Sequence, residues 1–184
     1  MLFFLDAIPY ITIFIFGITI GSFLNVCIYR LPLGESSVTA PSHCMTCGRK
    51  LRWYDMVPVF SWLVLGGKCR NCKSEISVQY PIIEGVNGIL YVVICVVNGL
   101  VWSSVVYCFM ASAFLVLSVI DWRTYEIPFC LNVFLFVLGV AAVVLDRGNL
   151  VDHLIGMVCV SGLLEVLYLV SGGRGIGGGG HQLV

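Results

Sequence analysis

Charge is what this chain of 184 residues has least of. Asp, Glu, Lys and Arg make up 11% of it, against 59% hydrophobic residues and a mean hydropathy of +1.01. Soluble domains carry roughly 25% charged and 45–50% apolar residues, so a soluble globular fold is excluded and an integral membrane protein is expected. Basic excess is missing too. Ten Lys+Arg balance ten Asp+Glu, which leaves no electrostatic footprint for nucleic acid. No Lys or Arg precedes Arg30, so the first apolar run lacks the basic flank of a cleaved secretory signal and is expected to remain as a span. The glycine-rich tail has no GKS/T after it and no strand before it, so it meets no phosphate-loop pattern.

What is present is a series of apolar runs of membrane length: 8–28, 82–98, 101–120, 129–145 and 151–170. A helix needs about 20 residues to cross about 30 Å of hydrocarbon. The expectation is an all-α polytopic membrane protein of about five transmembrane helices, with a small insert after the first. It divides into residues 1–28 (first helix), 29–81 (polar insert), 82–170 (helices two to five) and 171–184 (a glycine-rich segment). Seven of the ten Lys+Arg residues lie between Arg30 and Lys73. The positive-inside rule makes that insert cytoplasmic and the N-terminus external. Counting spans from there brings residue 121 and the tail to the cytoplasmic face. Gly17 and Gly21 form a GxxxG pair, which lets a second helix approach closely. Asn25, an amide in an apolar run, is expected to find an interhelical hydrogen bond.

Nine cysteines do not make a secreted disulfide framework. Five (Cys27, Cys95, Cys108, Cys130, Cys159) lie in apolar runs, where free Cys acts as a small hydrophobe. The other four form Cys44-x2-Cys47 and Cys69-x2-Cys72. Two such knuckles at this spacing point to a closed tetrahedral zinc site, structural and not catalytic. Two disulfides are the competing reading, and a reducing cytoplasmic face argues against them. Bound zinc would supply folding free energy to an insert too small for a sizeable core. His43, beside Cys44, is either an extra ligand or a surface histidine.

The acids in the apolar parts are few. Asp121 ends the run 101–120 and is followed by Trp-Arg-Thr-Tyr-Glu-Ile-Pro. A carboxylate at the middle of a span costs about 2.5–3.5 kcal/mol or more, so such a residue either marks the water boundary or carries chemistry. Glu84 opens the second run, at the interface or reaching into the bundle. Glu165 lies well inside the fifth run, where an isolated carboxyl must be paired or neutral.

Several segments together resemble the type IV prepilin peptidase family. Gly21-Ser22-Phe23-Leu24-Asn25-Val26-Cys27-Ile28-Tyr29-Arg30-Leu31-Pro32 resembles its opening signature. Pro41-Ser42-His43-Cys44 to Cys47, Trp53-Tyr54-Asp55, Pro58-Val59, Cys69-Arg70-Asn71-Cys72 and Ile76-Ser77 to Tyr80-Pro81 with Glu84 resemble its cytoplasmic domain. Asp121 to Ile127-Pro128 is similar to its first catalytic aspartate motif. The resemblance implies an intramembrane aspartyl endopeptidase of the bacterial inner membrane that cuts the charged leader from prepilins or pseudopilins. Its two aspartates would share a proton, because like charges that close cannot both ionise. Many members also N-methylate the new terminus with S-adenosylmethionine, an activity associated with the cytoplasmic insert; no residue here is assigned to it.

One position departs from the family pattern. The second catalytic aspartate belongs to a GxGD motif, and here Gly177-Gly178-Gly179 is followed by Gly180, with Gln182 where lysine is usual. A one-residue slip would put His181 in the place, again without a carboxylate. Family members continue into further spans, so the resemblance implies a C-terminally shortened chain. If Gly180 is encoded GGA, a one-base frameshift at Gly180–His181 would restore an aspartate codon but not the lysine. The expectation is therefore a prepilin peptidase by descent with little activity of its own. The alternative is a non-catalytic zinc-bearing membrane subunit that binds prepilins or secretion-system components. A third reading keeps methyl transfer alone.

Overall fold

The computed structural model describes residues 2–36, 42–125 and 127–146, with residues 148, 151, 155 and 159 beyond them. The expected fifth span with Glu165, apart from those isolated positions, and the whole tail with Gly180 and His181 lie outside the described residues. Among the described residues there are five α-helices: α1 (Leu2–Arg30), α2 (Phe60–Val64), α3 (Gln79–Asn98), α4 (Trp102–Thr124) and α5 (Phe129–Leu145). The stretches Ala7–Leu33, Gln79–Asn98 and Trp102–Thr124 are long and apolar enough to cross a membrane. The expected fourth span is the 17-residue α5, an apolar helix just under that length.

The α1–α3 pair is built on missing side chains. A Cβ on Gly17 would sit 2.8 Å from the Gly88 Cα, and one on Gly21 would sit 2.7 Å from the Glu84 Cα. On the facing helix, a Cβ on Gly88 would meet Ile18 at 2.7 Å. Lipid tails are as apolar as leucine, so helices in a bilayer associate through close packing and hydrogen bonds instead of water exclusion. The GxxxG pair supplies the first. Buried polar side chains supply the second. Asn25 Nδ2 donates to the Tyr80 carbonyl across the pair at 3.2 Å. Asn87 Nδ2 donates to the Gly17 carbonyl at 2.8 Å, the Ser112 hydroxyl donates to Asn87 Oδ1 at 2.8 Å, and the Tyr91 hydroxyl meets Ser112 at 3.0 Å. That chain of bonds ties α1, α3 and α4 together at mid-bundle.

Two apolar clusters flank this network. Tyr91, Cys95 and Cys108 pack toward the α3–α4 hairpin. Leu24, Ile28, Ile83, Val116, Ile120 and Leu131 pack at the opposite end, drawing on α1, α3, α4 and α5. Ile120 is fully buried there, so the end of α4 is pinned directly beside residue 121. Tyr125 then turns the chain out of α4 with φ +54, its N–H capping the Asp121 carbonyl at 2.9 Å. Pro128 comes next, with no N–H to continue a helix, and α5 begins after it.

The Gly21 approach gives a direct test. Gly21→Val places branched carbon against the α3 backbone, which cannot yield as a flexible side chain would. It is expected to destabilise the detergent-solubilised chain by about 1–3 kcal/mol, read from thermal unfolding, whereas Gly85→Ala, in open space, leaves it unchanged.

Candidate metal centre and the carboxylate beside it

The four paired cysteines come together. Their sulfurs all lie within 4.8 Å of one another, and Cys44 Sγ is 3.8 Å from Cys72 Sγ. Zn–S bonds of about 2.3 Å in a tetrahedron put sulfurs about 3.8 Å apart. The cage therefore needs at most about 1 Å of contraction to fit such an ion. Two disulfides would need only two close pairs. Here the thiols are free, and Cys44 faces across to the other knuckle.

Each sulfur pair is carried by one copy of the same backbone loop, 25 positions apart. His43 bridges to Lys50 as Lys68 bridges to Glu75. Cys44 N–H donates to Arg49 O as Cys69 N–H does to Ser74 O. Gly48 N–H returns to Cys44 O, and Lys73 N–H returns to Cys69 O. Both returns need a left-handed residue: Gly48 has φ +66 and Lys73 has φ +60. Glycine adopts that conformation freely, and a lysine there costs about 1–2 kcal/mol. The loops aim amides at sulfur. Backbone N–H groups of Cys47 and Thr46 hold the Cys44 thiol down to about 6, which favours the thiolate a metal requires. Ser74 likewise lowers Cys72. Arg49 joins the two loops through Asn71 at 2.8 Å. An Arg70–Asp55 ion pair at 2.7 Å secures the second loop to the segment before α2.

One contact holds α2 within the lobe and another fastens the lobe to the bundle. Trp62 of α2 donates to the Ile76 carbonyl at 3.1 Å and lies against Gly67, where a Cβ would be 2.9 Å away. Three residues before Trp62, Val59 N–H donates to Glu84 Oε2 at 2.7 Å. Ser22 of α1 also hydrogen-bonds that carboxyl. Glu84 is therefore not an interface residue facing water: it is 5% exposed and reaches into the α1–α3 seam. Val59 itself is the centre of a γ-turn, φ +60 and ψ −52, with Phe60 N–H on Pro58 O at 2.5 Å. This is a rare, strained turn for any residue and more so for a β-branched one.

Asp121 sits in the last turn of α4, exposed, at the bundle end that carries the lobe. That placement follows from Arg123, whose guanidinium lies 4.7 Å above the Tyr29 ring of α1 and donates to Gln79 Oε1 at the start of α3. Tyr29 stacks on Tyr80 at 5.8 Å. Trp122, Tyr125 and Phe129 around it are each more than 80% exposed, the pattern of side chains at a membrane–water boundary. His43 lies outside the cage formed by the four sulfurs.

Two family profiles match this chain. The Bacterial Peptidase A24 N-terminal domain matches residues 15–98, which include all four cysteines, and the Type IV leader peptidase family matches residues 108–183, which include Asp121. The chain belongs to the type IV prepilin leader peptidase family. Among relatives, the prepilin leader peptidase/N-methyltransferase of Myxococcus xanthus is 36% identical over 129 residues, covering 70% of this chain and 38% of its own length. The like-named protein of Neisseria gonorrhoeae is 28% identical over 200 residues, covering 92% of this chain and 70% of its own. That of Vibrio cholerae is 40% identical over 89 residues, or 41% and 34%. The chain thus spans well under two thirds of several of these relatives. No solved structure matches it significantly.

The sequence alone assigns no role to Asn87 or Ser112, and marks Val59 only as part of the Pro58-Val59 resemblance. Asn87 and Ser112 had a signal: each is polar inside an apolar run, where side chains of that kind bond across helices. Val59 had no such signal. The metal reading predicts one ion per chain after purification without chelator, counted by elemental mass spectrometry. Cys44→Ser, which removes a ligand from the cage, is expected to lower that count severalfold, while His43→Ala leaves it unchanged.

Proposed function

We propose that this chain descends from enzymes that cut prepilin or pseudopilin leader peptides at the cytoplasmic membrane face, with Asp121 as one of two required carboxylates. The observation that carries this reading is the position of Asp121: it ends a membrane-length helix, at the boundary, on the bundle end that bears the four-cysteine lobe. In such a reaction one carboxylate takes a proton from water while its protonated twin donates to the peptide carbonyl. The four thiolates would hold zinc as a structural ion, since four protein ligands leave no open coordination position. The lobe's basic residues favour the cytoplasmic side for it. Residues 171–184 are read as the loop that carries the second aspartate in the family.

In that loop Gly177-Gly178-Gly179 is followed by Gly180, where the family pattern has its second aspartate. This observation favours a second reading, in which the chain is a non-catalytic, zinc-bearing membrane subunit that binds prepilins or secretion-system components. The relatives are named N-methyltransferases as well as peptidases; methyl transfer, with S-adenosylmethionine as the donor, has no residue assigned to it here. Incorporation of labelled methyl into a pre-cleaved pilin is its test.

Leader cleavage by the purified, reconstituted chain separates the readings. General acid–base catalysis contributes about 10²–10⁴-fold, so the chain is expected to cleave more slowly than its Gly180→Asp variant by about that factor. Asp121→Asn should remove whatever the variant gains. Cleavage by the unaltered chain that survives Asp121→Asn overturns the peptidase assignment of Asp121. Co-purification of an uncut prepilin with both forms supports the subunit reading.

A further inference from the structure

The lobe between α1 and α3 has one part that does not suit water. Met56–Val64 reads MVPVFSWLV, nine residues without a charge, between Arg52 and Lys68. Trp62 turns into the lobe, but its neighbours do not: Phe60 is 62% exposed, Leu63 59% and Val64 80%. Contiguous exposed apolar surface of this kind marks a lipid or partner contact.

The bond from Val59 to Glu84 sets the depth of this segment. Glu84 lies five residues inside α3, about 7.5 Å along its axis from Gln79. Around that level α3 already turns apolar side chains outward at helical spacing, with Ile82, Val86, Ile89 and Val93 all exposed. Those are the lipid-facing positions of a span whose other face is buried against α1. A backbone amide 2.7 Å from the Glu84 carboxylate is therefore level with the start of that stripe, not out above it.

Several backbone polar groups of the segment are satisfied inside the protein, as lipid requires. Val59 N–H goes to Glu84, and Pro58 has no N–H to satisfy. The carbonyls of Val57, Pro58, Val59 and Ser61 accept from Ser61, Phe60, Leu63 and Leu65. The strained γ-turn at Val59 is what allows the chain to reverse within so few residues while presenting its N–H to α3.

We infer that Met56–Val64 is a re-entrant interfacial turn, with Phe60, Leu63 and Val64 seated among lipid acyl chains beside α3. The occupant is the bilayer itself because Glu84, which holds Val59 from the buried face of α3, stands at the same depth as Ile82 and Val86 in the lipid-facing stripe of a membrane-spanning helix. Water-facing character then belongs to the cysteine loops and not to the whole of residues 29–81. This does not depend on peptidase activity.

The test places the photoreactive residue p-benzoylphenylalanine at Phe60, at Val64 or at Glu75, an exposed site on the second cysteine loop. The full chain is reconstituted in phosphatidylethanolamine–phosphatidylglycerol vesicles, irradiated and weighed by mass spectrometry. Phospholipid adducts at 60 and 64 are expected to exceed those at 75 by about tenfold or more, as for side chains buried in the acyl boundary. If the label at 60 unfolds the chain, the more exposed position 64 gives the same reading. Equal lipid labelling at all positions overturns the inference. So do adducts to another segment of this chain, to a second copy or to a prepilin in place of lipid.

Discussion

Two glycines on α1 and the backbone they meet on α3 are the constraint on which the rest of this molecule depends. With Cβ atoms removed at Gly17 and Gly21, the helices close until side-chain amides reach across to carbonyls. In lipid that closeness has to be achieved by shape and by hydrogen bonds, because apolar surface gains nothing by leaving one apolar medium for another. Asn25 and Asn87 can be buried only because the backbone of the neighbouring helix is within reach. Once α1 and α3 are locked, Ser112 and Tyr91 extend the same network to α4. The α4 C-terminus is then fixed by the apolar cluster under Ile120.

The lobe inherits its placement from this pair. It leaves α1 at Arg30, returns at Gln79, and is held near the seam by Glu84, whose carboxyl would be costly at 5% exposure without the Val59 amide and the Ser22 hydroxyl. Its internal order is of another kind. The two cysteine loops repeat one hydrogen-bond pattern and share few apolar side chains, so a bound ion would serve as the core that the insert lacks. A soft-ligand cage, a buried carboxylate joint and an exposed carboxylate at the end of α4 thus occupy one end of the bundle, each set by a different interaction.

Arg123 illustrates how that end is aligned. Its charge satisfies no acid among the described residues; it lies over Tyr29 and bonds Gln79, joining the ends of α1, α3 and α4. Tyr29 and Tyr80 stack beneath it. The acid two residues earlier is left exposed, with its backbone carbonyl capped by Tyr125. The arrangement fixes the backbone at Asp121 while leaving its side chain exposed.

Hydropathy by itself determined that the chain is polytopic and helical, because a run of about 20 apolar residues has few other stable forms in a bilayer. Cysteine spacing determined the two halves of a cluster able to hold a metal, since each Cys-x2-Cys loop brings its own sulfurs together and only the meeting of the loops is tertiary. The GxxxG pair and Asn25 were legible as a helix contact, but not the contact's partner. Only the tertiary structure decided that α3 is that partner, that Asn87 and Ser112 carry a bond across three helices, and that Glu84 faces inward to hold Val59. Periodicity says which residues share a face, and spacing says which share a loop. Which face meets which loop depends on how whole helices close against each other, and no local pattern records that.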